Sequence, residues 1–410
     1  MRAVLVMLHR WLGLFTALFL FVSGLTGAVI AWDHELDAWL NPEFNRTETP
    51  GRPQSALALA EMLERREPRV QVTYLPLHTA PGEALSLFVS PRLDPATGKP
   101  FPIDYNQITL DPVTGEEQGR RMWGAFSLAQ KNLPSFLYKL HYSLHLPDVA
   151  GVRFGVLLLG IVAMVWVVDC VIALWISFPN RRSWRKSFAF RWRAGGQKLT
   201  FDLHRSGGVW LWLLLLVIAV TSVSMNLEHQ VVRPLVNLLS PLQPDPFERG
   251  AGEGDENHRL KSKLSRDQIL QRARTHAATL GISVPAGGMF FSPAADVYGV
   301  GFFKSGNAHG DMGLGNPWLY FDGHTGEPMA ATIPGRGSAG DIFLQMQFPL
   351  HSGRLAGLSG RILVSCLGVL VAGLSLTGII IWARRCRARA RSQLQRVTRT
   401  LLTTAAAAHE

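Results

Sequence analysis

Four uninterrupted apolar blocks govern what this chain can fold into. Residues 11–32, 206–227 and 362–383 each run 22 residues without a charge, and residues 154–178 run 25 with one, Asp169. A helix of 22 residues is about 33 Å long, enough to cross a hydrocarbon core of about 30 Å. Composition agrees: 47% of the 410 residues are hydrophobic and 17% charged, against roughly 25% charged in soluble domains. The expectation is a multi-pass protein, mainly α in the bilayer, built on a four-transmembrane-helix bundle.

A net charge of +11 raises nucleic acid as a partner, so the location of the charge matters. Residues 179–200 hold Arg181, Arg182, Arg185, Lys186, Arg191, Arg193 and Lys198 without an acid. After the fourth block come seven arginines between Arg384 and Arg399, opposed only by Glu410. With Arg2, Arg10 and Arg205 these segments carry seventeen cations against Asp202 and Glu410, which leaves the rest of the chain net negative. That is the positive-inside pattern. It predicts both termini and the middle loop in the cytoplasm. The partner of the basic charge is then the lipid bilayer, and no nucleic acid is expected.

The cysteines fit this plan. Cys170 and Cys366 lie inside spans and Cys386 in the tail, so none is left for a disulfide in an exported segment. No CxxCH haem-attachment motif occurs. The first block, with Trp at both ends, is too long for the 7–15-residue apolar region of a signal peptide and reads as a retained anchor.

The predicted layout is helix 1 (1–32), a first external domain (33–150), helix 2 (151–178), a basic cytoplasmic loop (179–205), helix 3 (206–227), a second external domain (228–355), helix 4 (356–383) and a cytoplasmic tail (384–410). The two halves look alike. Span one opens LHRWLG and span three LHRSGG, and each His is followed 17 residues later by a Thr, Thr26 or Thr221. Spans two and four are each preceded by an LH motif, LHYSLHLP and LHSGRLAG. Each external segment begins with a helical stretch (56–66 and 266–280), then alternates like a strand and reaches a turn signal, ITLDPVTGE or LYFDGHTGE. In these turns Gly115 and Gly326 supply the positive φ that hairpin chemistry needs. The reading is an internal parallel duplication with two small α+β domains outside the membrane. Residues 241–267, rich in Pro, Gly and charge, read as a linker.

Histidine placement carries the functional signal. His9 and His204 sit at the cytoplasmic ends of spans one and three, while His141, His145 and His351 sit at the opposite face. A single His in a bundle usually just hydrogen-bonds there, but ionisable groups in spans tend to face the interior and mark function. Two histidines from different helices at each face are what an axial pair on a haem iron needs. Gly13 and Gly208 stand at i+4 from His9 and His204, where a flat macrocycle lying on the helix needs a missing side chain. Arg10 and Arg205 follow the histidines and would pair with haem propionates. The plainer alternative gives the glycines to helix packing and the arginines to orientation. At the outer face His141 and His145 are i, i+4 on one helical turn before Pro147, and alignment against His351 leaves either as the ligand.

Other chemistries fit less well. No Cys is available outside and no HExxH occurs, which disfavours a zinc site, and a transporter would keep polar groups at mid-membrane. Asp169 reads equally as a buried hydrogen-bonding group and as a proton donor or tuner of the inner haem. His78, His258, His276, His309 and His324 read as solvated loop residues, with His324 also placed to meet a substrate. Met346 reads as packing, and His34 and His229 as spare ligands.

These motifs together resemble the PepSY-associated transmembrane, or iron-regulated membrane, proteins: LHRWLGL with SGLTG in span one, LHYSLHLP before span two, LHRSGG at span three, and PLHSGRLAGLSGR with LTGIIIW at span four. DPVTGE and DGHTGE resemble PepSY-domain turns. The resemblance covers nearly the whole chain and implies an oxidoreductase, a ferric-siderophore reductase with two b-type haems. It would place the inner haem on His9 and His204, and the outer on His351 with His141 or His145. Two departures stand out, VTSVSM in span three where Thr-Gly is expected, and Asp169–Cys170 in span two.

The implied mechanism passes single electrons from the cytoplasmic side to a periplasmic ferric siderophore, releasing ferrous iron for uptake. The middle loop is too short for a dinucleotide domain and lacks GxGxxG, so the donor would be quinol or a separate cytoplasmic reductase. Two alternatives stand beside this: a non-enzymatic, membrane-anchored PepSY protein binding peptides or proteases, and a haem electron carrier for another periplasmic acceptor.

Overall fold

The computed structural model describes residues 1–180, 182, 184–248, 264–308, 310 and 312–407. His258 and His309, both read as loop histidines, and much of the expected 241–267 linker lie outside the described residues. In chain order the elements are α1 (Arg2–Ile30), α2 (Asp33–Leu40), α3 (Ala56–Arg66), β1 (Val70–Pro76), β2 (Leu85–Pro91), β3 (Gln107–Leu110), β4 (Glu117–Arg121) and α4 (Leu133–Ser143). There follow the short hairpin β5 (Asp148–Val149) and β6 (Val152–Arg153), then α5 (Phe154–Ser177), α6 (Gly196–Asn226), α7 (Arg233–Leu239) and α8 (Arg266–Thr279). The chain ends with β7 (Ala286–Ser292), β8 (Val297–Phe302), β9 (Trp318–Asp322), β10 (Pro328–Thr332), α9 (Ala339–Ser352) and α10 (Gly357–Ala407).

Among the described residues, four helices are long and apolar enough to cross a membrane: Arg2–Ile30, Phe154–Ser177, Gly196–Asn226 and the apolar part of α10. The chain is therefore a multi-pass membrane protein with an antiparallel sheet domain. It divides into two compact units, one of Met1–Ala28, His141–Asn226 and the chain from Ser365 on, the other of Val29–Leu140 and Leu227–Val364. Helix α10 does not stop where the sequence expects a tail. It runs 51 residues, since no Gly or Pro follows Gly378 and the Arg/Ala-rich stretch favours helix.

Within the first unit, Trp166 and Cys170 of α5, Leu215 and Ala219 of α6, and Leu367 and Val371 of α10 form a buried apolar cluster. Helices α1 and α10 approach closely at Gly24 and Gly368, where a Cβ on Gly24 would stand 2.6 Å from the Gly368 carbonyl oxygen. Small residues permit such contacts in bilayers, where packing rather than water exclusion holds helices together.

In the second unit the strands form one sheet of order β10-β9-β8-β7-β1-β2-β3-β4. The two external segments, expected as two small domains, thus share a sheet. The join is the antiparallel pair β1–β7, with Tyr74 opposite Phe290 and Leu75 opposite Met289. Each half contributes a helix followed by four antiparallel strands in meander order. The amphipathic faces of α3 (Leu59, Ala60, Leu63) and α8 (Ile269, Leu270, Ala273) join one core with Leu87, Ile108, Met289 and Leu319 of the strands. On the other face of the sheet, Gly299 and Gly301 of β8 leave room for the Phe290 and Trp318 rings, which lie against them.

The two Asp-x-x-Thr-Gly turns have a shared chemistry. Asp111 accepts from the backbone N–H groups of Val113 and Thr114 at 2.7 and 3.0 Å, and Asp322 from those of His324 and Thr325 at 2.9 and 2.8 Å. Gly115 and Gly326 close the turns at φ +74° and +67°. Asp111 also accepts from the Thr47 hydroxyl at 2.6 Å and from that of Thr49. Desolvation alone would raise this carboxyl, but the two hydroxyls and two N–H groups outweigh it and hold it at about 2, against an ordinary 3.8. A depressed carboxyl lends stability that is present above its unfolded value and is lost as pH falls through the folded one. The thermal midpoint should therefore fall from pH 4 to pH 2 more steeply in the wild-type protein than in D111N; equal slopes would contradict this.

Candidate functional site

The first turns of α1 and α6 carry His9 and His204, and the fold brings their rings together. The centroids are 6.1 Å apart and the ring planes 43° from parallel. Each imidazole is fixed through Nδ1. For His9 the partner is Asp169 Oδ1 of α5 at 2.8 Å. For His204 the partners are the Leu374 carbonyl at 3.0 Å and the Thr377 hydroxyl at 3.2 Å, both on α10. A carbonyl oxygen accepts and cannot donate, so His204 carries its proton on Nδ1, and a carboxylate imposes the same tautomer on His9. In both rings Nε2 keeps its lone pair, the arrangement of a metal-ligating histidine whose other nitrogen is held by an outer partner.

Both rings line a cavity of about 370 Å³, together with Arg10, Arg205, Gly13 and Gly208. The glycines leave open space: a Cβ on Gly208 would meet nothing within 4 Å, and one on Gly13 would meet only Asp169 Oδ2 at 3.9 Å. The arginines follow the histidines on their helices, each flanked by a ring, Trp11 at 5.3 Å from the Arg10 guanidinium carbon and Phe201 at 5.2 Å from that of Arg205. Arg205 also donates to the Lys186 carbonyl and stands 3.6 Å from Asp202. The Nε of both arginines is buried without a hydrogen-bond partner among the described residues. Buried donors of this kind cost free energy unless an acceptor arrives, so the two arginines lining the cavity can each serve one.

Thus His9, His204, Arg10, Arg205, Gly13 and Gly208 stand around one space. The outer-face candidates are placed differently. His141 lies in the last turn of α4, with Nδ1 2.9 Å from the Ser23 carbonyl and 3.1 Å from the Thr26 hydroxyl of α1. Burial pushes it down to about 4, against the Ser23 hydrogen bond, so at neutral pH it is the uncharged imidazole that binds metals. His145 does not share its helical turn, contrary to the i, i+4 expectation. Helix α4 ends at Ser143, and Leu144 and His145 take φ of +53° and +54°. The break comes before Pro147, because these two left-handed residues turn the chain back and the Leu146 N–H closes on the Ser143 carbonyl at 3.0 Å. His351 lies in the last turn of α9, which Gly353 ends at φ +75°. His141 belongs to the first compact unit and His351 to the second.

Sequence reading missed the seats of these rings. Thr26–Gly27 and Thr377–Gly378 are each a hydroxyl beside a missing side chain, and an imidazole from another helix fills the place. A Cβ on Gly27 would stand 2.8 Å from His141 Cε1, and one on Gly378 would stand 3.1 Å from His204 Cε1. The signal was the repeated Leu-Thr-Gly of spans one and four, which gives no hint of its partner. Sequence reading also did not join His229, Asp245 and Glu248, whose ligand atoms lie within 4.8 Å of one another. His229 and Glu248 are well exposed, and exposed ion pairs contribute little. His324 pairs through Nε2 with Asp296 at 2.5 Å, linking the β9–β10 and β7–β8 turns.

No curated protein matches this sequence. The family model for the PepSY-associated TM region matches residues 6–385, nearly the entire chain and all of the elements that build the cavity. The protein belongs to the PepSY-associated TM family.

Proposed function

We propose that the chain is an inner-membrane di-haem b-type oxidoreductase that passes electrons across the membrane to a periplasmic ferric siderophore and releases ferrous iron for uptake. The observation that carries the reading is the facing His9–His204 pair, with both Nδ1 atoms engaged and both Nε2 atoms free to ligate. With a metal–imidazole bond of about 2 Å on each side, two rings sharing one ion sit about 6 Å apart, and these stand at 6.1 Å. The two glycines leave open space for a macrocycle, and the unpartnered Nε atoms of Arg10 and Arg205 suit its propionates.

When bound, two b-type haems supply one-electron transfer between a donor on one side and a ferric acceptor on the other. The protein residues hold and insulate. His9 and His204 would hold the inner haem, and Arg10 and Arg205 would neutralise its propionates. For the outer site the family resemblance gives His351 with His141, and the Nδ1 anchoring of His141 favours it over His145. Basic charge at residues 179–205 and along α10 supports cytoplasmic termini and, with them, a periplasmic sheet unit of PepSY-like domains. The shared helix-then-four-strand order of its halves supports an internal parallel duplication. The donor is a quinol or a separate reductase.

A reduced-minus-oxidised visible spectrum of the purified chain, with a haem-to-protein ratio, tests this. Two b-type haems per chain are expected, with re-oxidation by a ferric chelate in the presence of a ferrous trap. Protein that takes up no haem despite ample supply would defeat the reading and leave a membrane-anchored PepSY-associated binding protein. Re-oxidation by other acceptors alone would point to a haem electron carrier.

A further inference from the structure

Helix α5 is apolar throughout except for one acid. Asp169 is 7% exposed, beside the buried Trp166 and Cys170, and its hydrogen-bonding partner is the His9 imidazole. An ionisable acid within a span is expensive and is seldom kept without a task. Its counterpart for His204 is different in kind, since the Leu374 carbonyl and Thr377 hydroxyl are neutral. His141 likewise rests on a carbonyl and a hydroxyl, those of Ser23 and Thr26. Of these three rings held through Nδ1, His9 has a carboxylate as its partner.

We infer that Asp169 is a positioning residue that, through His9, makes the inner haem harder to reduce than a neutral partner would. This rests on the di-haem reading above. A carboxylate accepting from Nδ1–H pushes electron density onto Nε2 and raises its strength as a ligand. A stronger, more negative ligand stabilises ferric iron over ferrous, so the inner site gives up its electron more readily. The step is one electron leaving ferrous iron at one site and reducing ferric iron at the other, with no bond made or broken in the protein. Asp169 touches neither substrate nor the metal and acts through His9.

The test is an anaerobic redox titration of the full-length, haem-loaded protein, followed by visible absorbance, for wild type, D169N and D169E. Asparagine keeps an acceptor for Nδ1–H and removes the charge, which makes the setting of His9 resemble that of His204. Removing such an outer partner commonly changes metal affinity by about tenfold or more. A tenfold loss of ferric preference is a rise of about 59 mV in a one-electron potential. One titration component should rise by about that much in D169N while the other stays in place, and D169E should keep the wild-type value. Two bound haems with both components unmoved in D169N would overturn the inference and leave the di-haem reading intact. Should D169N lose one haem, retention in D169E supports the carboxylate's role, whereas loss in both marks a packing position and overturns it. A wild-type protein without haem defeats the reading and the inference together.

Discussion

Alanine at His204 is expected to halve the haem content and to bring ferric-chelate reduction down to the background rate. The substitution removes one of the two imidazoles that line the shared cavity and leaves the Leu374 carbonyl and Thr377 hydroxyl without the ring they hold. On the proposed di-haem reading, a macrocycle held by one imidazole would keep its apolar burial but lose one of its two protein ligands, and electron transfer through it would fail. H9A should behave alike, and the double variant should be little worse than either, because residues that act as one unit are strongly non-additive. Haem is counted against protein by absorbance of the pyridine adduct, and activity by a ferrous trap. H276A is the control, since His276 packs on Phe321 in the sheet unit and should leave both readouts unchanged. Retention of two haems and full turnover in H204A would refute the assignment of this pair.

The second large effect is steric. Leucine at Gly24 or Gly368 should abolish recovery of folded protein, or lower its thermal midpoint by many degrees. A Cβ on Gly368 would stand 2.4 Å from the Gly24 carbonyl oxygen, and one on Gly24 would stand 2.6 Å from that of Gly368. These are backbone atoms that no rotamer change can move, so α1 and α10 must separate. Overpacking typically costs about 1–3 kcal/mol where side chains can adjust, and here they cannot. Ser23 and Gly27, which seat His141, flank the same contact, so any surviving protein should also lose His141 anchoring. Gly373 of α10 has nothing within 4 Å of an added Cβ, and G373A should be near neutral. Size-exclusion recovery and thermal unfolding in detergent measure all three, and a well-folded G368L would show that the helices do not meet as described.

Much of this was legible because its causes are local. Charge-free runs longer than the bilayer is thick announce spans on length alone, and the helix of residues 56–66 follows from its apolar periodicity. The Asp-x-x-Thr-Gly turns could be read because Asp111 and Asp322 bond backbone only two and three residues on. The His-Arg pairs and the glycines at i+4 could be read because a helix fixes that spacing. What stayed hidden depends on partners far along the chain. Nothing near Asp169 names His9, 160 residues away, and nothing in Leu-Thr-Gly says that an imidazole will fill the gap beside the glycine. The reversal at Leu144 and His145 was equally opaque, because Leu rarely takes positive φ and His takes it in only a minority of cases. The union of two expected domains into one sheet rests on backbone bonds along β1 and β7, which side-chain patterning does not encode.

That union sets a timetable for synthesis. Strand β1 emerges about 200 residues before β7, the strand it pairs with at Tyr74–Phe290 and Leu75–Met289. At about 5–20 residues per second the wait is roughly 10–40 s. Throughout it β1 offers one row of open amide and carbonyl groups, the sort of edge that recruits stray strands. Two membrane-crossing helices must be made and inserted within that interval. The half-built sheet is thus the most vulnerable species in the life of this protein, and a chaperone that shields a bare strand edge would raise its yield more than one that speeds helix insertion.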